Sequence, residues 1–241
     1  MMQNTSQIDL NINKSTSISI IASQAEIDLN TAVWAVNWFD TKRKWLYHLY
    51  TSIASGFVIK VGGKLWFKGQ FEQTLSGHEK DARSILLIVQ YPTANHFLDL
   101  VKMKRFQMVS ILRILAVKRF VFGFTQPIKM EGLIKNRQSK GAPCLVHHFR
   151  NNSVVDEQIK TISRLAGDTG IYLNYAGIKA ATLKRSHSTE GGYAIPFIMD
   201  GILVFEGENR EQLMAFYQSE VYQTFVGSLD NSYVALFRKL A

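Results

Sequence analysis

YPTANHFLDLVKMKRFQMVSILRILAVKRFVFGFTQ, residues 91–126, and GENREQLMAFYQSEVYQTFVGSLDNSYVALFRKLA, residues 207–241, follow one plan. Each succeeds an apolar strand, runs as a long amphipathic helix and closes on a short aromatic-rich strand. A shift of 116 residues pairs Phe97 with Leu213, Leu98 with Met214, Leu100 with Phe216, Phe106 with Tyr222, Gln107 with Gln223, Val109 with Phe225 and Phe120 with Leu236. Only Gln107 and Gln223 are identical across the long helices. What repeats is the position of bulk, and a repeat of this size speaks to fold rather than to reaction.

Working outward, Ala32–Phe39 (AVWAVNWF) reads as a strand, apolar on both faces apart from Asn37. A helix follows at Lys42–Ile59, capped by Asp40 or Thr41, with Trp45, Leu49, Ile53 and Phe57 four apart on one apolar stripe. Gly62-Gly63 end it. Strands follow at Lys64–Gln73 and Ser84–Gln90, then one helix from Pro92-Thr93 to about Leu115, then a strand at Arg119–Thr125. Pro127–Gly141 is polar and basic and reads as a linker. The order then recurs. Cys144–Phe149 is a strand and Val154–Ala166 a helix capped by Asn152 or Ser153. Strands follow at Ile178–Lys184 and Ile198–Phe205, then a helix at Asn209–Leu229 and a strand at Tyr233–Lys239. Residues 1–30 form an extension with one irregular strand. The domains are therefore expected at 31–126 and 142–241, joined by the linker 127–141.

Each half is β-α-β-β-α-β, the ferredoxin-like plan of an antiparallel sheet with helices on one face. The strands are apolar on both faces, so the second sheet face needs a cover. Two fused ferredoxin-like α+β domains with facing sheets would supply it.

The chain resembles the dimeric α+β barrel superfamily at these residues, and within it a branch of small uncharacterised domains. The pattern is an apolar strand, a turn, a helix with aromatic residues, a polar step and Tyr-Gln. FEGENREQLMAFYQSEVYQTF at 205–225 carries it, with Tyr222-Gln223. IVQYPTANHFLDLVKMKRFQMVSILR at 88–113 carries it with Phe106-Gln107 in place of Tyr-Gln and a basic Met103-Lys104-Arg105 in place of the acidic step. Leu229 stands where the first half has Arg113. The resemblance covers most of 31–241. It implies relatives that include cofactor-free monooxygenases, small isomerases and decarboxylases, and haem proteins such as chlorite dismutases and dye-decolourising peroxidases. One fold hosting these does not choose among them.

Composition narrows the classes. The 241 residues are 46% hydrophobic and 20% charged, an ordinary globular balance. The single cysteine, Cys144, sits in an apolar run and reads as a buried thiol; it excludes an internal disulfide framework. No apolar run reaches the roughly 18–20 residues of a membrane helix, and the polar N-terminus lacks a signal-peptide core. A cytoplasmic protein is expected, with neither membrane nor nucleic acid as partner and a homodimer as the plausible assembly. Residues 1–135 hold 17 Lys+Arg against 9 Asp+Glu, and residues 136–241 hold 11 against 10. The basic first half reads as a solvated rim with Lys102, Lys104, Arg105, Lys118 and Arg119, and alternatively as a dock for an acidic partner.

Four polar or aromatic residues interrupt the apolar strands. Asn37-Trp38 and His147-His148 occupy nearly matching places, Phe39 pairing with Phe149. They are the candidate catalytic set: polar groups holding a phenolic substrate, with a histidine as base near neutral pH. The competing reading has one residue of each pair packing under a helix. Adjacent histidines on a strand point to opposite faces and cannot share one ion. Arg113, between Leu112 and Ile114, needs a carboxylate such as Asp99 or Glu72, or a ligand. Arg113 and Tyr222 are the candidate ligand contacts. No cofactor is expected. A haem would take His147, His148 or His187 as axial ligand. His48, His78 and His96 are scattered surface residues. No GxSxG, P-loop, dinucleotide fingerprint or HExxH occurs. The expected function is a small-molecule-binding α+β barrel protein for an aromatic or lipid-like ligand, with a cofactor-independent monooxygenase or isomerase as its chemistry. The alternatives are a haem barrel and a non-catalytic module with a basic face.

Overall fold

The computed structural model describes residues 7–13, 16–22, 30–128, 139–150, 156–185 and 200–241. The fold is mixed α+β, and the chain divides into two compact units. The first is residues 1–66, 83–126 and 179–193; the second is 67–82, 127–178 and 194–241.

The first unit centres on β3 (Val33–Thr41), flanked antiparallel by β5 (Ile85–Tyr91) and β6 (Val117–Pro127). Val36 lies opposite Ile88 on one side and Gly123 on the other. Residues 1–30 depart from the expected single strand: β1 (Gln7–Asn13) and β2 (Thr16–Ala22) pair as a hairpin, and β2 pairs with Ala181–Arg185. Three helices complete the unit, α1 (Lys44–Lys60), α2 (Ala94–Lys102) and α3 (Lys104–Ala116). Gly62, at φ +76, ends the first turn beyond α1, where its amide bonds the Ile59 carbonyl at 2.9 Å.

In the second unit the sheet runs β4 (Lys64–Ser76), β10 (Asn231–Lys239), β7 (Pro143–Arg150), β9 (Gly201–Glu206), β8 (Tyr172–Arg185). The unit takes β4 from Phe67 onward and β8 up to Ile178. The helices are α4 (Asp156–Asp168), α5 (Arg210–Gln218) and α6 (Glu220–Gly227). β8 begins six residues before the expected Ile178, because Tyr172–Ala176 is also apolar and pairs with β9. The caps expected at Asn152 or Ser153 lie outside the described residues, as does His187. Asn209 caps α5, accepting from the Gln212 amide at 2.8 Å.

Three expectations are corrected. Each long helix is two helices. The backbone turns extended at Met103 (ψ 117) and at Ser219 (ψ 145), positions 116 residues apart. Each break is bridged alike. The Gln107 amide donates to the Val101 carbonyl at 3.0 Å, and the Gln223 amide donates to the Tyr217 carbonyl at 2.5 Å. That bond explains why glutamine is the shared residue: a helix end leaves carbonyls unsatisfied, and a side chain four residues past the break reaches back to one. Ser219 also caps α6 through its hydroxyl, accepting from the Tyr222 amide at 3.3 Å.

The stripe on α1 is not its core face. Trp45 is 67% exposed, Leu49 45% and Ile53 40%, while Leu46, Tyr47 and Ala54 are buried. A strict four-residue spacing precesses by about 40° per step on a 3.6-residue helix. Such a stripe winds from solvent at Trp45 to the core margin at Phe57.

Asp40 does not cap α1, whose N-cap residue is Arg43 without a side-chain bond. It is instead a strand-end acceptor, taking the Ser84 amide at 2.9 Å, the Ser84 hydroxyl at 2.8 Å, and the Arg119 guanidinium. Burial pushes this carboxyl up, but the bonds from Arg119 and Ser84 and the guanidinium charge outweigh it, leaving the carboxyl below its ordinary value. The register of β3 and β6 shifts beside it, and Arg119 adopts φ +48 there.

Candidate functional site

Strand alternation sorts β7 into two faces. Leu145, His147 and Phe149 point to the helices; Cys144, Val146 and His148 point away. The two histidines therefore part, as adjacent strand residues must.

His147 is sealed under α5 and α6. Its Nδ1 shares a 2.9 Å hydrogen bond with the Tyr222 hydroxyl. Its ring lies 5.6 Å from Phe225 and 5.9 Å from Phe149, centre to centre. Nε2 is buried with no hydrogen-bond partner among the described residues. Burial, with the neighbouring His148 adding to it, lowers this imidazole to about 3. Burial raises the Tyr222 hydroxyl well above its ordinary value. Both groups are neutral at neutral pH, so the pair is a neutral hydrogen bond inside an aromatic core that includes Phe205 and Phe216.

The face away from the helices is differently furnished. His148 stands opposite Tyr233 on β10 and Ile202 on β9. The Tyr233 hydroxyl bonds the Thr74 hydroxyl at 2.9 Å. Burial holds the His148 imidazole at about 3, so it too is neutral. Four residues further along β9 and six further along β10, in the same phase, an ion pair is buried. Lys239 Nζ donates to Glu206 Oε2 at 2.7 Å, with the two residues 1% and 2% exposed. Asn174 Nδ2 donates to the same oxygen at 3.1 Å, and the Ser139 hydroxyl donates to Oε1. Beside the pair, burial pushes the Cys144 thiol far up, Glu206 adding to it. Cys144 is inert as a nucleophile in that state.

The other expected residues belong to the first unit. Asn37 points to the helix side of β3, half-buried, its amide donating to the Ala35 carbonyl at 3.1 Å and the Leu87 carbonyl at 3.4 Å. Trp38 points the other way and is fully buried. Among the described residues, neither Asp99 nor Glu72 pairs with Arg113. Its guanidinium lies 4.7 Å over the Phe120 ring, and Glu72 pairs with Arg238 instead. Of the six candidates, the structure joins His147 and Tyr222 directly. The Glu206–Lys239 pair was missed, and its only sequence signal is charge ending two apolar strands, Glu206 after ILVF and Arg238-Lys239 after VALF.

No family model matches the chain, and no curated protein matches it. Solved structures do. One is a protein provisionally named a monooxygenase, from Lactobacillus acidophilus NCFM, with TM-score 0.53 and 9% identity over 88% of this chain and 95% of that one. Another is an anthrone oxidase-like protein, with TM-score 0.51 and 10% identity over 92% and 94%. A third is a double mutant of chlorite dismutase from Candidatus Nitrospira defluvii, with TM-score 0.51 and 11% identity over 86% and 91%. These solved structures share the fold of this chain. At such identities the likeness is one of fold alone.

A haem, the alternative raised by the sequence resemblance, would need one of these histidines as its axial ligand. An axial imidazole needs one nitrogen open to iron and the other hydrogen-bonded. His147 has the second feature only: Nδ1 is bonded to Tyr222 and Nε2 faces packed rings. A haem does not fit there. Among the described residues, no three His, Cys, Asp or Glu side chains gather to hold a metal ion, and no helix is long and apolar enough to cross a membrane.

Proposed function

We propose that this chain is a small-molecule-binding α+β barrel protein made of two ferredoxin-like modules, taking an aromatic or lipid-like ligand without a bound cofactor. The observation that carries the reading is the chemistry of the second unit's sheet away from its helices. That face combines tyrosine and phenylalanine rings with one neutral imidazole, His148. Each buried polar group needs a compensating bond, so an imidazole costs more to bury in a core than an aliphatic side chain does. A neutral imidazole can hydrogen-bond a phenol or carbonyl and carries no charge to desolvate. Such a histidine orients a neutral ligand; an imidazole held at about 3 is a weak base. Among similar folds, a monooxygenase name and an anthrone oxidase-like name point to oxygen chemistry on aromatic substrates, and a cofactor-independent oxygenase or isomerase is the reaction class that follows.

The test is titration of the whole protein with a tricyclic phenol and with a fatty acid, read by intrinsic tryptophan fluorescence and native mass spectrometry. Saturable binding that weakens in His148→Phe and persists in His147→Phe supports the reading. Absence of saturable binding to either class removes it. Oxygen uptake with the bound phenol then separates an oxygenase from a carrier.

A further inference from the structure

α1 and α3 of the first unit pack side by side. Phe57 meets Phe106 at 6.1 Å between ring centres, Tyr50 feels the charge of Arg113, and the amides of Lys42 and Arg43 bond the Ala116 carbonyl at 2.7 and 3.2 Å. These three registers make the pair antiparallel and set Leu49 and Ile53 beside the Ser110–Ile114 segment. The outward side of this pair is apolar. Trp45, Leu49 and Ile53 from α1 join Met108 (71% exposed), Ile111 (57%), Ile114 and Leu115 from α3. Scattered single hydrophobics need no explanation, but seven large ones on two touching helices form a patch of the size that marks an interaction site.

The charges around the patch say what covers it. Neither α1 nor α3 contains an acidic residue. Exposed bases stand at both ends: Lys42, Arg43, Lys44 and Lys118 at the Trp45 end, Lys60, Lys104 and Arg105 at the other. A second copy of this chain is disfavoured, because a two-fold pairing of a face that is basic at both ends stacks like charges in either orientation. The surface is also a pair of adjacent helix ridges, not a groove for a helix to enter. Apolar side chains flanked by bases, with an exposed tryptophan beside the basic end, match the interface of an anionic bilayer.

We propose that the outward face of α1 and α3 is a peripheral docking surface for an anionic membrane. Trp45, Leu49, Ile53, Met108, Ile111 and Ile114 enter the headgroup–acyl boundary, and the terminal lysines and arginines bind lipid phosphates. This departs from the sequence expectation of no membrane partner, and it is independent of the ligand-binding reading. It concerns lying on a bilayer, not crossing one.

The experiment is flotation of the full chain with vesicles of equal parts phosphatidylglycerol and phosphatidylcholine, against vesicles of phosphatidylcholine alone. Trp34 and Trp38 are buried and Trp66 is half-buried, so a blue shift on adding vesicles that disappears in Trp45→Phe reports Trp45 entering the bilayer. Expected are binding to the anionic vesicles, weakening with salt, a blue shift, and about fivefold loss for each of Lys44→Gln and Lys104→Gln. The exposed double variant W45E/I111E should lose binding by about tenfold or more while its thermal unfolding stays unchanged. Failure to float with anionic vesicles at low salt, or unchanged binding in W45E/I111E, overturns the proposal. A concentration-dependent dimer abolished by W45E/I111E without vesicle binding also overturns it and gives the face to a second copy. Binding of an acidic amphipathic peptide at the patch, with vesicles ignored, overturns it in favour of a protein partner.

Discussion

Lowering the pH from 7 to 5 should remove about 4 kcal/mol of stability through His147 and His148 alone. An imidazole in an unfolded chain titrates near 6.5, and burial holds both at about 3 in the fold. Between those values the unfolded state binds a proton that the folded state refuses, so acid favours unfolding. The stabilisation is complete above 6.5 and declines as pH falls toward 3. The slope approaches about 1.4 kcal/mol per pH unit for each histidine, and because unfolded histidine is already partly protonated near pH 7, the loss by pH 5 is about 2 kcal/mol apiece. Asp40 does not contribute in this window, since its depressed value places its loss below its ordinary 3.8. The assay is urea unfolding followed by tryptophan fluorescence at pH 7, 6 and 5, for the natural chain and for H147N/H148N. The double variant is less stable throughout, but the gap between the two chains should shrink by about 4 kcal/mol on acidification. A gap that stays constant with pH, or His147 and His148 imidazole resonances (those lost in H147N/H148N) that titrate near 6.5 in the folded protein, would refute the reasoning.

Other sites give separate tests. Lys239→Met leaves Glu206 buried and uncompensated and should cost about 3–5 kcal/mol in chemical denaturation; adding Glu206→Leu should restore most of it, and no recovery would mean the pair is not the cause. Gln107→Ala and Gln223→Ala should each cost about 1 kcal/mol by removing the bond across a helix break, measured as a shift in denaturation midpoint; a neutral result at both would deny the bridge its role. Phe225→Ala, which opens the core beside His147, should cost about 3–5 kcal/mol and raise the His147 titration point by admitting water, read by NMR.

Much of the chain order was legible because period and punctuation carry it. The apolar runs ILLIVQ and ILVF could only be buried strands, and Asn209 announced a helix start. What failed were quantities that sequence spacing does not encode. Nothing before Met103 or Ser219 breaks a helix by propensity; the break is set by backbone geometry and recognised afterwards through the glutamine that bridges it. The α1 stripe misled because the helix is apolar nearly all round, so periodicity could not say which side meets the sheet. The paired histidines were legible as polar interruptions, and their opposite directions followed from strand alternation. That Nδ1 of His147 would meet Tyr222, 75 residues away, depended on how α6 lies over β7. Glu206 and Lys239 were invisible as a pair because only the register of β9, β7 and β10 brings two strand-end charges into one phase.

The two units use the same helix plan differently. In the second, the repeat position of Phe106 is Tyr222, whose hydroxyl turns inward to His147, and the broken helix closes over a sealed aromatic core. In the first, the helix after the break holds Met108, Ile111, Ile114 and Leu115 to the outside, where the corresponding residues Thr224, Gly227, Asp230 and Asn231 of the second half are small or polar. Exposed aliphatic side chains cost solubility and return nothing to a monomer's stability, since their burial is not gained on folding. Their concentration beside bases and away from acids therefore calls for a partner outside the chain. The second unit's buried polar face needs a different explanation, one inside it. A ligand site and a docking face on separate units can be tested independently: W45E/I111E should leave phenol binding untouched, and His148→Phe should leave vesicle binding untouched. Loss of both activities in either variant would show that one surface serves both roles and that this division of labour is mistaken.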